Sequence, residues 1–133
     1  MMFGYATSET KSYMPASLVY SHELLVMLAK LRKSGDYHWL RPDSKSQLSI
    51  EYRDGKPFRI DTVVLSHQTT EEGANKGCYA RLEELARNFL EKTDLVDGRT
   101  RFLINPTGKF VVGGPCGDSG LTGRKIIVDT YGG

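Results

Sequence analysis

Cysteine is scarce. Cys78 and Cys116 are the only two in 133 residues, and neither stands at a C-x-x-C or Cys/His spacing. That speaks against a zinc site. One bridge between them stays open, with reduced thiols the expectation. Net charge is nearly absent as well. Eighteen Lys and Arg against sixteen Asp and Glu leave +2, too little to argue for a nucleic-acid partner. No apolar run approaches the roughly 20 residues that span a bilayer. The N-terminus has no basic region leading into an apolar one. Neither a membrane partner nor export is expected. His22, His38 and His67 are scattered, so no Ser/His/Asp or Cys/His arrangement and no metal cluster is visible. The Walker pattern and G-x-G-x-x-G are both missing. Internal repeats, coiled-coil heptads and low-complexity segments are missing too.

What remains is ordinary for one globular domain: 39% hydrophobic and 26% charged residues. Glycine, however, is concentrated. Positions 108, 113, 114, 117, 120 and 123 are all glycine, and Arg124-Lys125 follows directly. Glycine lets a ligand approach backbone N–H groups closely, and successive N–H groups form an anion-binding nest. A glycine loop ending in Arg-Lys suits a polyphosphate, since lysine meets phosphate as a point charge and arginine grips it bidentately. Asp118 inside the loop would repel phosphate. It fits a cation instead, an ammonium group or a phosphate-bound metal. The plainer reading is a loop that merely turns the chain.

The spacing of Leu18, Leu24, Leu25, Leu28 and Leu31 predicts a helix over 15–34, opened by Pro15 and ended by Gly35. Leu48 to Arg53 alternates as a half-buried strand. Asp54 to Pro57 turns, and 58–65 forms the second, more buried strand of a hairpin. Tyr79, Leu82, Leu85, Ala86, Phe89 and Leu90 predict a second helix at about 75–92. Short apolar runs follow at 102–104 and 110–112, and 126–129 reads as a strand. These elements predict an α+β two-layer sandwich in β-α-β-β-α-β order, with a largely antiparallel sheet and two helices on one face. Lys45 falls in a polar loop, 41–47, where it is either a phosphate contact or a solvated lysine. Phe110 is either core or a platform for a base. The abrupt ends at Met1 and Gly133 are those expected of one domain of a longer polypeptide.

Residues 105–115 (Asn-Pro-Thr-Gly-Lys-Phe-Val-Val-Gly-Gly-Pro) and 117–133 resemble the signature of the S-adenosylmethionine synthetases. Residues 2–6, 39–47 and 59–64 resemble the same family in the same order, so the resemblance spans essentially the whole chain. It implies that 1–133 is the central of three related α+β domains, with the N-terminal and C-terminal domains absent. It implies an enzyme, a methionine adenosyltransferase, that joins L-methionine to the adenosyl group of ATP and releases phosphate and pyrophosphate. Carried over residue by residue, Lys45 contacts the triphosphate, Phe110 stacks on adenine, Asp118 belongs to the methionine site, and Arg124 and Lys125 lie near the phosphates. Lys45, Arg124 and Lys125 are then the catalytic cations. Lys109 stands where the family usually has arginine, so it keeps the charge and loses the planar fork. Mg2+ and K+ are implied for the complete enzyme, with no metal ligand identified in this chain. A cytoplasmic homo-oligomer, dimer or tetramer, is implied. The contrasting expectation is a non-catalytic scaffold or regulatory module that retains the fold.

Overall fold

The computed structural model describes residues 2–121 and 123–132. Met1, Thr122 and Gly133, the last two within the glycine-rich signature, lie outside the described residues. Helix α1 runs Ala16–Ser34. Its first N–H group, on Ala16, donates to the carboxylate of Glu9 at 2.9 Å, which supplies from outside the cap that Pro15 cannot. Gly35 ends it in the left-handed conformation at φ 90°. Helix α2, Lys76–Leu90, opens on Asn75, whose side chain accepts from the Cys78 N–H at 3.0 Å. Its buried residues Leu82, Ala86 and Leu90 recur every four positions and make one apolar stripe.

Strands β1 (Leu40–Arg53) and β2 (Lys56–Thr69) form a long antiparallel hairpin. Asp54 and Gly55 join them, both at positive φ (50° and 74°), as a two-residue hairpin turn of matching twist requires. Strand β3, Arg101–Ile104, pairs parallel to β2, giving the order β1-β2-β3 with β1 at an edge. Leu24 and Leu28 of α1, Leu82, Ala86 and Leu90 of α2, and Leu40, Leu48, Ile60, Val63 and Leu65 of the sheet make a single core. One core shared this way puts both helices on one face of a mostly antiparallel sheet, the expected α+β sandwich. Truncating a residue such as Leu82 to alanine there costs about 2–5 kcal/mol.

Three local expectations give way. Among the described residues no strand precedes α1. Residues 126–129 are turn rather than strand, because no neighbour offers that run a ladder. The polar run 41–47 is not a loop but the first half of β1, which begins at Leu40. Both cysteines are free. Among the described residues no helix is long and apolar enough to cross a membrane.

Candidate functional site

A cleft of about 650 Å³ lies between the first half of α1, the edge strand β1 and the glycine-rich segment. Lys45 reaches it from β1, where it pairs with Ser66 of β2. Asp118, Arg124 and Lys125 reach it from the glycine-rich segment, and His22 from α1. Residues separated by up to 103 positions in sequence, His22 to Lys125, therefore meet in one concavity. Among the described residues none of Lys45, Asp118, Arg124 and Lys125 makes an ion pair, so their charges face the cleft uncompensated. Three cations with one carboxylate free of backbone contacts among the described residues, Asp118, suit a ligand that is mostly polyanionic and carries one positive group.

The local sequence explains how β1 presents this side. Pro42 has no N–H for the ladder, and the register slips between Leu40 and Ser44. Asp43 is thereby released from regular pairing. Its N–H donates to the Gln68 side-chain oxygen at 3.3 Å, and its carboxylate accepts from the Gly114 N–H at 2.7 Å. The Gln68 side-chain amide donates to the Val111 carbonyl at 2.8 Å. The Thr69 N–H donates to the Phe110 carbonyl, also at 2.8 Å. Asp43 also lines the cleft. Neither Asp43 nor Gln68 is a candidate from the sequence, although Asp43 falls inside the Arg-Pro-Asp-Ser-Lys run. The only signal is a proline followed by a carboxylate at a strand start.

Lys109 and Phe110 do not line the cleft. Lys109 extends outward to Glu71, Nζ to Oε1 3.0 Å, and both are exposed. Phe110 is half-buried, with its ring against Gly113 at the root of the glycine-rich segment. Cys116 is exposed in that segment. His67, by contrast, is buried on β2. Burial pushes its imidazole below the ordinary value, outweighing the hydrogen bond between Nδ1 and the Gln68 carbonyl. Its backbone is clamped by Asn105, whose side chain accepts from the His67 N–H at 2.8 Å and donates to the His67 carbonyl at 3.2 Å.

Among the described residues, no three His, Cys, Asp or Glu side chains gather where a metal ion could be held. Of the two carboxylates beside the cleft, Asp43 is already engaged by Gly114. A smaller cavity of about 390 Å³ lies between the Glu9 loop, the hairpin tip and Leu95. Glu9 is committed there to Thr7, Ala16 and Tyr52, so the cavity has little polar capacity to spare.

The family model for the S-adenosylmethionine synthetase central domain matches residues 1–110, and the model for that enzyme's C-terminal domain matches 112–133. The chain is 55% identical over 134 positions to the S-adenosylmethionine synthase of Akkermansia muciniphila, covering all of this chain and 34% of that one. It is 54% identical to the synthase of Myxococcus xanthus, covering all of this chain and 33% of that one. It is 53% identical to the synthase of Clostridium botulinum, covering all of this chain and 34% of that one. The chain therefore spans about a third of the length of the curated relatives it matches.

Proposed function

This chain belongs to the S-adenosylmethionine synthetase family, and from that premise we propose that it is the central-domain part of a polypeptide that makes S-adenosylmethionine from ATP and L-methionine. In this reading residues 112–133, which the C-terminal-domain model matches, lead from the central domain toward the C-terminal one. The carrying observation is the cleft itself. It gathers Lys45, Arg124 and Lys125 around one concavity and sets Asp118 beside them.

The chemistry asks for little more from this segment. The methionine sulfur attacks C5′ of ATP, an S–C bond forms, the C5′–O bond breaks, and triphosphate leaves with the electron pair. Water then splits the triphosphate into pyrophosphate and phosphate. A thioether is a good nucleophile without a base, so catalysis rests on positioning and on cations that meet charge growing on the leaving group. Lys45, Arg124 and Lys125 supply that charge. Asp118 takes the ammonium group of methionine. Phe110, half-buried against Gly113, and Lys109, paired with Glu71, stand outside the cleft, and their roles toward adenine and the phosphates rest on the family resemblance alone. Mg2+ and K+ belong to the complete protein. Among the described residues no three His, Cys, Asp or Glu side chains gather to hold a metal ion. The remaining domains of the polypeptide and a second copy of it are the expected partners, and a cytoplasmic setting matches the use of ATP.

The test is steady-state kinetics on the full-length protein that carries this segment. Lys45→Ala and Arg124→Ala should each lower kcat far more than they raise the methionine KM. Unchanged kcat in both variants sinks the reading. A full-length protein that forms no S-adenosylmethionine leaves the scaffold alternative standing.

A further inference from the structure

Residues 110–114 are fastened to the sheet at three successive points. Phe110 is held through its carbonyl by Thr69, Val111 through its carbonyl by Gln68, and Gly114 through its N–H by Asp43. Gly113 sits in the middle of this clasp. A Cβ built there would lie 2.8 Å from Phe110 Cε2, 2.9 Å from Asp43 Oδ2 and 3.0 Å from the Gln68 side-chain Cδ. Glycine is required here for close approach, since its φ of −158° suits any residue. Beyond the clasp the chain is exposed from Pro115 to Leu121 and from Gly123 to Thr130. Its contacts with the body of the domain are sparse there, yet Asp118, Arg124 and Lys125 must be aimed from it.

Asp43 is only two residues from Lys45 on the same strand. The strand end that presents Lys45 therefore also grips the root of the segment that carries the other cleft charges. We propose that Asp43, seconded by Gln68, is a positioning residue. Its carboxylate fixes the glycine-rich segment against β1 and so sets where Asp118, Arg124 and Lys125 stand relative to Lys45. The proposal rests on the synthetase reading for its effect on turnover, but its structural half does not. A hydrogen bond from a backbone N–H to a carboxylate is charge-assisted and stronger than a neutral one. Losing it should loosen the segment without disturbing the core, to which neither Asp43 nor Gln68 belongs.

The experiment uses the full-length protein and the variants Asp43→Ala, Asp43→Asn, Gln68→Ala and Gly113→Ala. Limited proteolysis reads the population of the open segment. Cleavage between 113 and 125 should speed up roughly ten- to hundredfold in Asp43→Ala, the range set by one charge-assisted hydrogen bond. The thermal midpoint should stay put. Gln68→Ala and Gly113→Ala should be cleaved faster too. Asp43→Asn keeps an oxygen for the Gly114 N–H and should recover most of the protection and most of kcat. Wild-type cleavage rates in Asp43→Ala overturn the proposal whether or not the protein makes S-adenosylmethionine. Asp43→Asn as impaired in kcat as Asp43→Ala, with the segment still protected, overturns it too, because the carboxylate charge then acts on a ligand directly. Failure of the synthetase reading shows separately, as absence of product from the wild-type protein.

Discussion

At the scale of single residues, the charges in the cleft differ in when they are needed. In the proposed reaction Arg124 opposes charge that grows as triphosphate leaves. In the same proposed reaction Asp118 opposes an ammonium charge present before and after the step. Arg124→Ala in the full-length protein should therefore lose about 3–4 kcal/mol of transition-state stabilisation, roughly a hundred- to thousandfold in kcat. Asp118→Ala should chiefly raise the methionine KM, because an interaction equal in ground and transition states shows there. Steady-state kinetics with both substrates separates the two. Turnover lost at saturating methionine in Asp118→Ala, with only KM moved in Arg124→Ala, reverses the roles. His67 makes a different prediction, about stability. Burial holds its folded pKa below the ordinary 6.5, so the unfolded chain takes up the proton first as pH falls. The contribution is intact above about pH 6.5 and drains away as pH drops through that value toward the folded one. Denaturant midpoints measured from pH 7.5 to 5.5 should decline in the wild type and decline less in His67→Gln. Parallel curves would show that the proton goes elsewhere.

At the scale of elements, α2 rests on a single side-chain cap, Asn75 to the Cys78 N–H, with no acidic residue in its first turn to assist. Asn75→Ala should cost about 1 kcal/mol. In a domain of this size that is a fall of about 3–5 °C in the thermal midpoint, which calorimetry can read. Both helices are legible in the sequence because leucine spacing, Pro15 and Gly35 are local signals and helical hydrogen bonds are local too. The hairpin is legible for the same reason: Asp54-Gly55 sets the turn, and alternation sets the strands. The strand at 126–129 is a false reading, since Ile126, Ile127 and Val128 have β propensity but a strand also needs a partner. The first half of β1 is missed because it lies at a sheet edge, where Arg41, Pro42, Lys45 and Gln47 are exposed and read as loop. The site shows the same division. Lys45, Asp118, Arg124 and Lys125 are legible through the family signature, and the structure brings them to one cleft. Asp43 and Gln68 are not, because their contacts to Gly114 and Val111 cross 71 and 43 positions of sequence and leave no periodic trace.

At the scale of the whole molecule, the core is well covered but the two ends are not. Met2 and Phe3 stay 96% and 72% exposed, and Ile126, Ile127 and Val128 each keep more than half of their surface in solvent. Tyr131 ties the two terminal segments together. The Tyr131 hydroxyl donates to the Phe3 carbonyl at 3.2 Å, and the Tyr5 and Tyr131 rings stand 6.3 Å apart. The two terminal segments therefore meet at Tyr131, and both carry exposed apolar side chains. Contiguous apolar patches beyond a few hundred Å² are rare on monomers and usually mark an interface. The +2 net charge does little to keep copies apart. The 133-residue chain by itself should consequently self-associate at high micromolar concentration. Phe3→Asp combined with Ile126→Asp, two exposed positions that do not line the cleft, should return it to a monomer. Sedimentation velocity on both proteins decides the matter. A sharp monomer for the unaltered chain at those concentrations removes the interface, and an oligomer that survives both aspartates places the contact on another face.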